Sequence, residues 1–251
     1  MSIASPVDPT SGTLYRPPNL PGWDRFSPKR YIEEKFGKEV AIANDASLGA
    51  LGEYTYGFGR GYSNLIFLTL STGVGGGVIV NGELMLGSHG FAAELGHMVI
   101  DREGPSCGCG GWGCLEALVS GTAIASQAYN LVYAGDHSML WDMVDGEIGH
   151  ITAEMVLEAA LAGDNLSSMV IHNFSENLAL GLANLTHIFD PEIVIIGGGV
   201  SESADVYISR VRHYTELRLM QHVKGKPDIR ISALGDSVSL LGASSLAFTT
   251  L

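Results

Sequence analysis

An α/β fold with a mainly parallel sheet is predicted by three features of the chain. Strand-length apolar runs such as "SNLIFLTL" and "DPEIVIIG" alternate with helical segments, the pattern of a sheet covered by helices. Those runs end in glycine turns, "STGVGGG" and "GGGVSES". Hydrophobic residues make up 46% of the 251 positions and charged ones only 16%, with 33 glycines, a composition suited to a turn-rich globular interior.

The elements follow in order. Residues 1–39 are rich in proline and turns ("SPVDPTSG", "RPPNLPGW") and close on a short helical segment, "SPKRYIEEKFG". "KEVAIA" reads as a buried strand, and "NDASLGALGEYTYG" as a helix with Leu48 and Leu51 on one face. "SNLIFLTL" is a second strand. After "STGVGGGVIV", Asn81-Gly82 between two apolar runs is a strong two-residue hairpin signal. "CLEALVSGTAIASQAYN" reads as one helix, and another starts at Thr152 with "TAEMVLEAALAG". A long helix, "NLSSMVIHNFSENLALGLANLTHIF", begins after Asp164, a plausible N-cap. "DPEIVIIGGGVSES" is a parallel-type strand opening onto a glycine turn. A helix, the strand "DIRISAL" and a last helix, "SVSLLGASSLAF", complete the chain. Internal repeats and low-complexity tracts are absent from the sequence.

The net charge of −13 argues against a nucleic-acid partner, which would be bound through an excess of Lys and Arg. "MSIASPVDPTSG" has neither the positive region nor the apolar run of a secretory signal. Nor does any apolar stretch reach the ~20 residues that a bilayer span needs. The expected setting is soluble and cytoplasmic, with no membrane partner.

All three cysteines, Cys107, Cys109 and Cys114, fall within eight positions. A disulfide is the weakest reading, because the count is odd and a C-x-C pair closes poorly. Unreactive core thiols would be scattered rather than set among Gly108, Gly110, Gly111 and Gly113. A metal site explains both the spacing and the glycines, which let the backbone fold around a cation. Zinc takes four ligands in a tetrahedron, and His97 is the candidate for the fourth. With all four positions supplied by protein the zinc is expected to be structural, since a water-activating ion needs an open position. His150, in "EIGH", echoes "ELGH" at 94–97, but no cysteines follow it, and it reads as incidental. The remaining histidines stand alone.

Asn44-Asp45 follows a strand and opens a helix, so a plain N-cap is the first reading. Glu94 and Glu116 bracket the cysteine loop and read first as solvated helix ends. A zinc loop would draw Glu94, His97 and Glu116 together, and such a polar floor suits a polyhydroxylated ligand. "LSTGVGGG" at 70–77 is a strand–turn–strand whose hydroxyls and backbone N–H groups are able to cradle a phosphate. "IVIIGGGVSES" leaves a strand and enters a helix, the position where open α/β sheets bind nucleotides. It is neither G-x-G-x-x-G nor a Walker loop, which counts against a Rossmann dehydrogenase.

Taken together, these residues resemble the ROK family of sugar kinases and sugar-responsive repressors. The matching stretches are "PNLPGW" (18–23), "IANDASLGALGE" (42–53), "LTLSTGVGGGVIVNGEL" (68–84), "AAELGHMVIDREGPSCGCGGWGCLEALVSGTAI" (92–124) and "IFDPEIVIIGGGVS" (188–201). The resemblance implies the actin-like, hexokinase-type (ribonuclease H-like) two-domain fold with a structural zinc loop and a sugar in the interdomain cleft. Asp45 then matches the catalytic base that takes the proton from the attacking sugar hydroxyl. Asn44, Glu94, His97 and Glu116 match sugar-contacting positions. Thr72, Gly73 and Gly75 match a second phosphate loop, and Gly197, Gly198 and Gly199 the adenosine-side turn. His97, Cys107, Cys109 and Cys114 match the zinc ligands, His97 serving zinc and sugar through different ring nitrogens.

The implied function is an ATP-dependent hexose kinase of glucokinase type. Its cofactors are structural Zn²⁺ and Mg²⁺ with ATP, its expected sugar is glucose, and its assembly is a homodimer or homotetramer. The family opens with a strand and a D-x-G-x-T phosphate loop that the 251 residues do not contain. The chain is therefore expected to be N-terminally truncated, with an incomplete N-terminal domain. Residues 1–60 are expected to be what remains of the small domain, joined by the last helix (236–251), and residues 61–235 the large domain. The alternative is a non-catalytic sugar-binding remnant or regulator. A DNA-binding repressor fits the family but not this chain, which lacks a recognition helix and has the wrong charge.

Overall fold

The computed structural model describes residues 1–17 and 20–250. Pro18 and Asn19 of the 18–23 segment, and Leu251 beyond the last helix, lie outside the described residues. In chain order the elements are β1 (Ser2–Ile3), α1 (Pro28–Phe36), β2 (Ala43–Asn44), α2 (Asp45–Tyr56), β3 (Leu65–Leu70), β4 (Val74–Val80) and β5 (Glu83–Leu84). Then come α3 (Leu115–Val119), α4 (Gly121–Tyr133), α5 (Leu140–Met143), α6 (Ala153–Leu161) and α7 (Asn165–Phe189). β6 (Ile193–Gly197), α8 (Ile208–Arg218), β7 (Asp228–Ile231) and α9 (Val238–Thr250) complete the chain. Among the described residues, no helix is long and apolar enough to cross a membrane.

The five-stranded sheet runs β5-β4-β3-β6-β7. It is mixed rather than mainly parallel: β3–β4 and β4–β5 are antiparallel, β3–β6 and β6–β7 parallel. The correction follows from loop length. Both antiparallel pairs are joined by turns of two or three residues, and a parallel return needs a crossover of a dozen or more. At the second turn Asn81 and Gly82 have φ of 52° and 82°, the left-handed pair that a two-residue hairpin demands.

Two other expectations need adjustment. Of "KEVAIA", only Ala43 is in a strand, because β2 has just Ser2 and Ile3 as parallel partners. The helix expected over 114–130 is broken at Ser120, whose ψ of 163° stops α3. The Ser120 hydroxyl then caps α4 by accepting from Ala123 N at 3.0 Å. Gly121 N donates to Ser71 O at 2.7 Å, so α4 starts where it is tied to the β3–β4 turn. The Asp164 cap is as expected, its carboxylate accepting from Ser167 N at 2.9 Å.

Strands β3 and β6 are apolar on both faces because both faces are covered. Ile66, Leu68, Leu70, Val194 and Ile196 join the large core built on α3, α4, α6, α7 and α8. Leu65, Phe67, Ile193 and Ile195 point the other way, against Ala50 and Tyr54 of α2 and Val238 of α9. Helix α2 lies directly on the glycine strand. A Cβ on Gly75 would sit 2.8 Å from Ala46 Cβ, and one on Gly77 2.6 Å from Ala50 Cβ. That close approach sets the first turn of α2 at the rim of the sheet.

Candidate active site

Asn44 and Asp45 occupy the start of α2. Asn44 Oδ1 accepts from Ala46 N at 2.9 Å and Ser47 N at 3.4 Å, so the N-cap reading is correct for Asn44. Asp45 is half-buried at the first helical position, and its Oδ1 accepts from Ala46 N at 2.9 Å. Burial pushes its carboxyl above the usual range, with the Ala46 N–H working against that shift. Among the described residues Asp45 makes no ion pair.

Asp45 borders two cavities. With Asn44, Glu94 and Gly75 it lines a small pocket of about 50 Å³. On its other side it lines a cleft of about 400 Å³ with Gly197, Gly198 and Gly199. Glu94 is also pushed upward, first by burial, then by the nearby carboxylates of Glu116 and Asp45, while His97 opposes the shift. Thr72, Gly73, His97 and Glu116 line a third, open recess of about 650 Å³ beside the cysteines. The three glycine-loop residues predicted upstream are thus divided between recess and pocket, apart from Gly197–Gly199. Gly75 lies within β4 beneath α2.

Glu116 ties the hairpin turn to the cysteine loop. Its Oε2 accepts from Val74 N at 2.9 Å, and Oε1 lies 3.5 Å from Cys107 Sγ and 4.0 Å from His97 Nδ1. Glu116 is therefore no solvated helix end.

The cysteine loop folds back on itself through Cys107 N to Gly111 O at 2.8 Å and Gly110 N to Cys107 O at 3.0 Å. The ligand atoms of His97, Cys107, Cys109 and Cys114 lie within 4.8 Å of one another. Cys109 and Cys114 Sγ are 3.7 Å apart, as are Cys107 Sγ and His97 Nδ1. A tetrahedron with zinc–sulfur bonds of about 2.3 Å has edges of ~3.8 Å, so the donor types suit zinc and these two pairs are spaced for it. Burial pushes the Cys107 thiol up to about 12. Cys109 is drawn down by the backbone N–H of Gly111.

The cleft has further polar walls that sequence reasoning missed: Thr69, Ser71, Ser201, Glu202, Ser232 and Asp236. Ser71, Ser201 and Glu202 sit in the two glycine turns, and Asp236 follows Gly235. Thr69 and Ser232 come from the ends of β3 and β7, brought together by the β3–β6–β7 pairing.

Fold and site together define an α/β protein with a half-buried carboxylate between two cavities and a three-cysteine, one-histidine loop beside them. The chain belongs to the ROK family, whose profile matches residues 1–250. It is 37% identical over 248 residues to a glucokinase from Thermotoga maritima, spanning 98% of this chain and 78% of that one. It is 34% identical over 245 residues to a xylose repressor from Caldicellulosiruptor bescii, spanning 97% of this chain and 60% of that one. Among solved structures it resembles a ROK family glucokinase from Streptomyces griseus in complex with glucose and AMPPNP. That likeness has a TM-score of 0.87 at 33% identity and covers 98% of this chain and 80% of that chain.

Proposed function

We propose that the chain is an ATP-dependent hexose kinase, with glucose as its first candidate substrate and Asp45 as the general base. The observation that carries this reading is that Asp45 borders both the pocket with Asn44 and Glu94 and the cleft with Gly197–Gly199. Phosphoryl transfer needs a sugar hydroxyl and a γ-phosphate in line, with a carboxylate accepting the hydroxyl proton. A base at the junction of the two cavities meets that requirement. Asn44, Glu94, His97 and Glu116 would hold the sugar hydroxyls, carboxylates accepting and the Asn amide donating.

Among the described residues, three carboxylates, Asp45, Glu202 and Asp236, line the cleft, and no Lys or Arg does. A free triphosphate would be repelled there, so the nucleotide enters as its Mg²⁺ complex, with Gly197–Gly199 on the adenosine side. Thr72 and Gly73 would approach the phosphates from the hairpin turn. In this reading residues 1–60 with 236–251 form one wall of the cleft and 61–235 the other. Zinc held by His97, Cys107, Cys109 and Cys114 would brace the loop that carries Glu94 and Glu116, with no position open for hydrolysis.

A coupled ADP-release assay over glucose, mannose, N-acetylmannosamine, N-acetylglucosamine and fructose tests the proposal, with Asp45→Asn as control. Loss of the base is expected to lower kcat by about 10²–10⁴-fold. If no sugar supports turnover above Asp45→Asn, the chain is not a kinase. The second reading, a non-catalytic sugar-responsive regulator, draws on the likeness to the xylose repressor. Calorimetric sugar binding without Mg-ATP binding would favour it.

A further inference from the structure

Glu53 is fully buried, with 0% of its surface exposed, yet among the described residues no Lys, Arg or His forms an ion pair with it. Its carboxylate is satisfied by two donors. Oε2 accepts from Phe58 N at 3.0 Å, and Oε1 accepts from the Ser232 hydroxyl. The chain is shaped to seat it: a Cβ on Gly57 would overlap Oε2, and one on Gly59 would lie 2.8 Å from the Glu53 carbonyl oxygen. Burying a carboxylate without a cation is costly, and burial pushes the Glu53 carboxyl upward against both hydrogen bonds. An apolar side chain here would serve packing better.

The Ser232 end of this contact leads to the cleft. Ser232 leaves β7, donates its N–H to Ile196 O at 2.8 Å, and accepts from Leu234 N through its hydroxyl at 3.2 Å. It therefore starts the turn that runs through Gly235 and Asp236 into Val238 and Ser239. All five residues line the cleft together with Gly197–Gly199. The Ser232 hydroxyl thus donates to Glu53 and accepts from Leu234 N, tying the start of the turn to α2.

We infer that Glu53 is a positioning residue for the nucleotide side of the cleft: by fixing the Ser232 hydroxyl it sets the 232–239 wall against which Mg-ATP docks. The nucleotide part rests on the kinase reading; the brace itself does not. Glu53→Gln is nearly isosteric, but it offers one acceptor oxygen to two donors, so one contact is lost. Ser232→Ala removes the same link from the other side.

Amide hydrogen exchange on the ligand-free full chain reads the brace directly. Both variants are expected to speed exchange over 232–239 by about tenfold, the worth of one hydrogen bond, while residues 43–48 stay protected. The double variant should exchange no faster than the faster single one. In turnover assays both should raise KM for Mg-ATP about tenfold and leave kcat and the sugar KM within about twofold. Unchanged exchange at 232–239, or additive effects in the double variant, overturns the inference. So does a loss confined to kcat or sugar KM in an active enzyme. If the unsubstituted chain phosphorylates no sugar, the kinase reading fails, and exchange alone decides the role of Glu53.

Discussion

Replacing Gly242 by alanine tests the helix crossing that holds Asp45 in place. Helix α9 crosses α2 at Gly242, where a Cβ would overlap the Leu48 carbonyl oxygen and lie 2.6 Å from its carbon and 3.0 Å from Gly52 N. Carbon contacts relax only near ~3.5 Å, so the two helices must part by roughly 1 Å. The three nearest obstacles are all backbone of a helix that is itself pressed onto β4, not side chains able to turn away. Overpacking of this kind costs about 1–3 kcal/mol and more where the backbone must shift. Alanine returns about 1 kcal/mol of helix propensity, leaving a net loss of about 2 kcal/mol at the upper end of the overpacking range. For a chain of this size that lowers Tm by roughly 4–8 °C. Scanning calorimetry measures it, with Gly149→Ala as control, since nothing lies within 4 Å of the added carbon there. Val238 and Ser239, in the first turn of α9, line the cleft with Asp45, so weaker Mg-ATP binding should accompany the loss. A Gly242→Ala variant melting at or above the unsubstituted protein would refute this account of the crossing.

Two further predictions concern the site. Burial raises the Asp45 carboxyl, and a general base works only when ionised, so on the proposed kinase role kcat/KM should rise with pH through a value above the ordinary ≈ 3.9 for Asp; an acid limb at or below that value contradicts the burial argument. Stability should move in the opposite sense. A raised folded-state pKa means that Asp45 favours the fold fully below its unfolded pKa and loses that contribution as pH rises through the folded value. The metal prediction is that purified protein holds about one zinc per chain, and that chelation or Cys109→Ser removes it and lowers Tm, since binding and folding are coupled. Metal-free protein of unchanged Tm would rule the zinc out.

Much of the architecture was legible because its signals are local. Asn81-Gly82 specifies its hairpin through two positive φ values, and Asp164 starts α7 with its own carboxylate. The crowding of Cys107, Cys109 and Cys114 around glycines was enough to point to a metal donor set, and the fourth ligand atom, on His97, lies where that reading needs it. The break at Ser120 was not legible, because a continuous apolar period runs through it. What stops the helix is a tie to Ser71, 50 residues away. "LSTGVGGG" reads as strand–turn–strand, and Gly75, Gly76 and Gly77 lie in its second strand. Glycine marks a need for close approach without saying what approaches, and at Gly75 and Gly77 it is α2.

By itself, then, the sequence determined the turns, helix caps such as Asp164, the crowding of the three cysteines and the family, since each rests on residues near one another in the chain. Only the tertiary structure decided the strand order, the placement of Asp45 between two cavities, and the link from Glu53 to Ser232. Those depend on pairings such as Leu65 with Ile193, which no local propensity encodes. A strand carries the same alternation of side chains whichever neighbour it meets, and burial of both faces of β3 and β6 selects the partner.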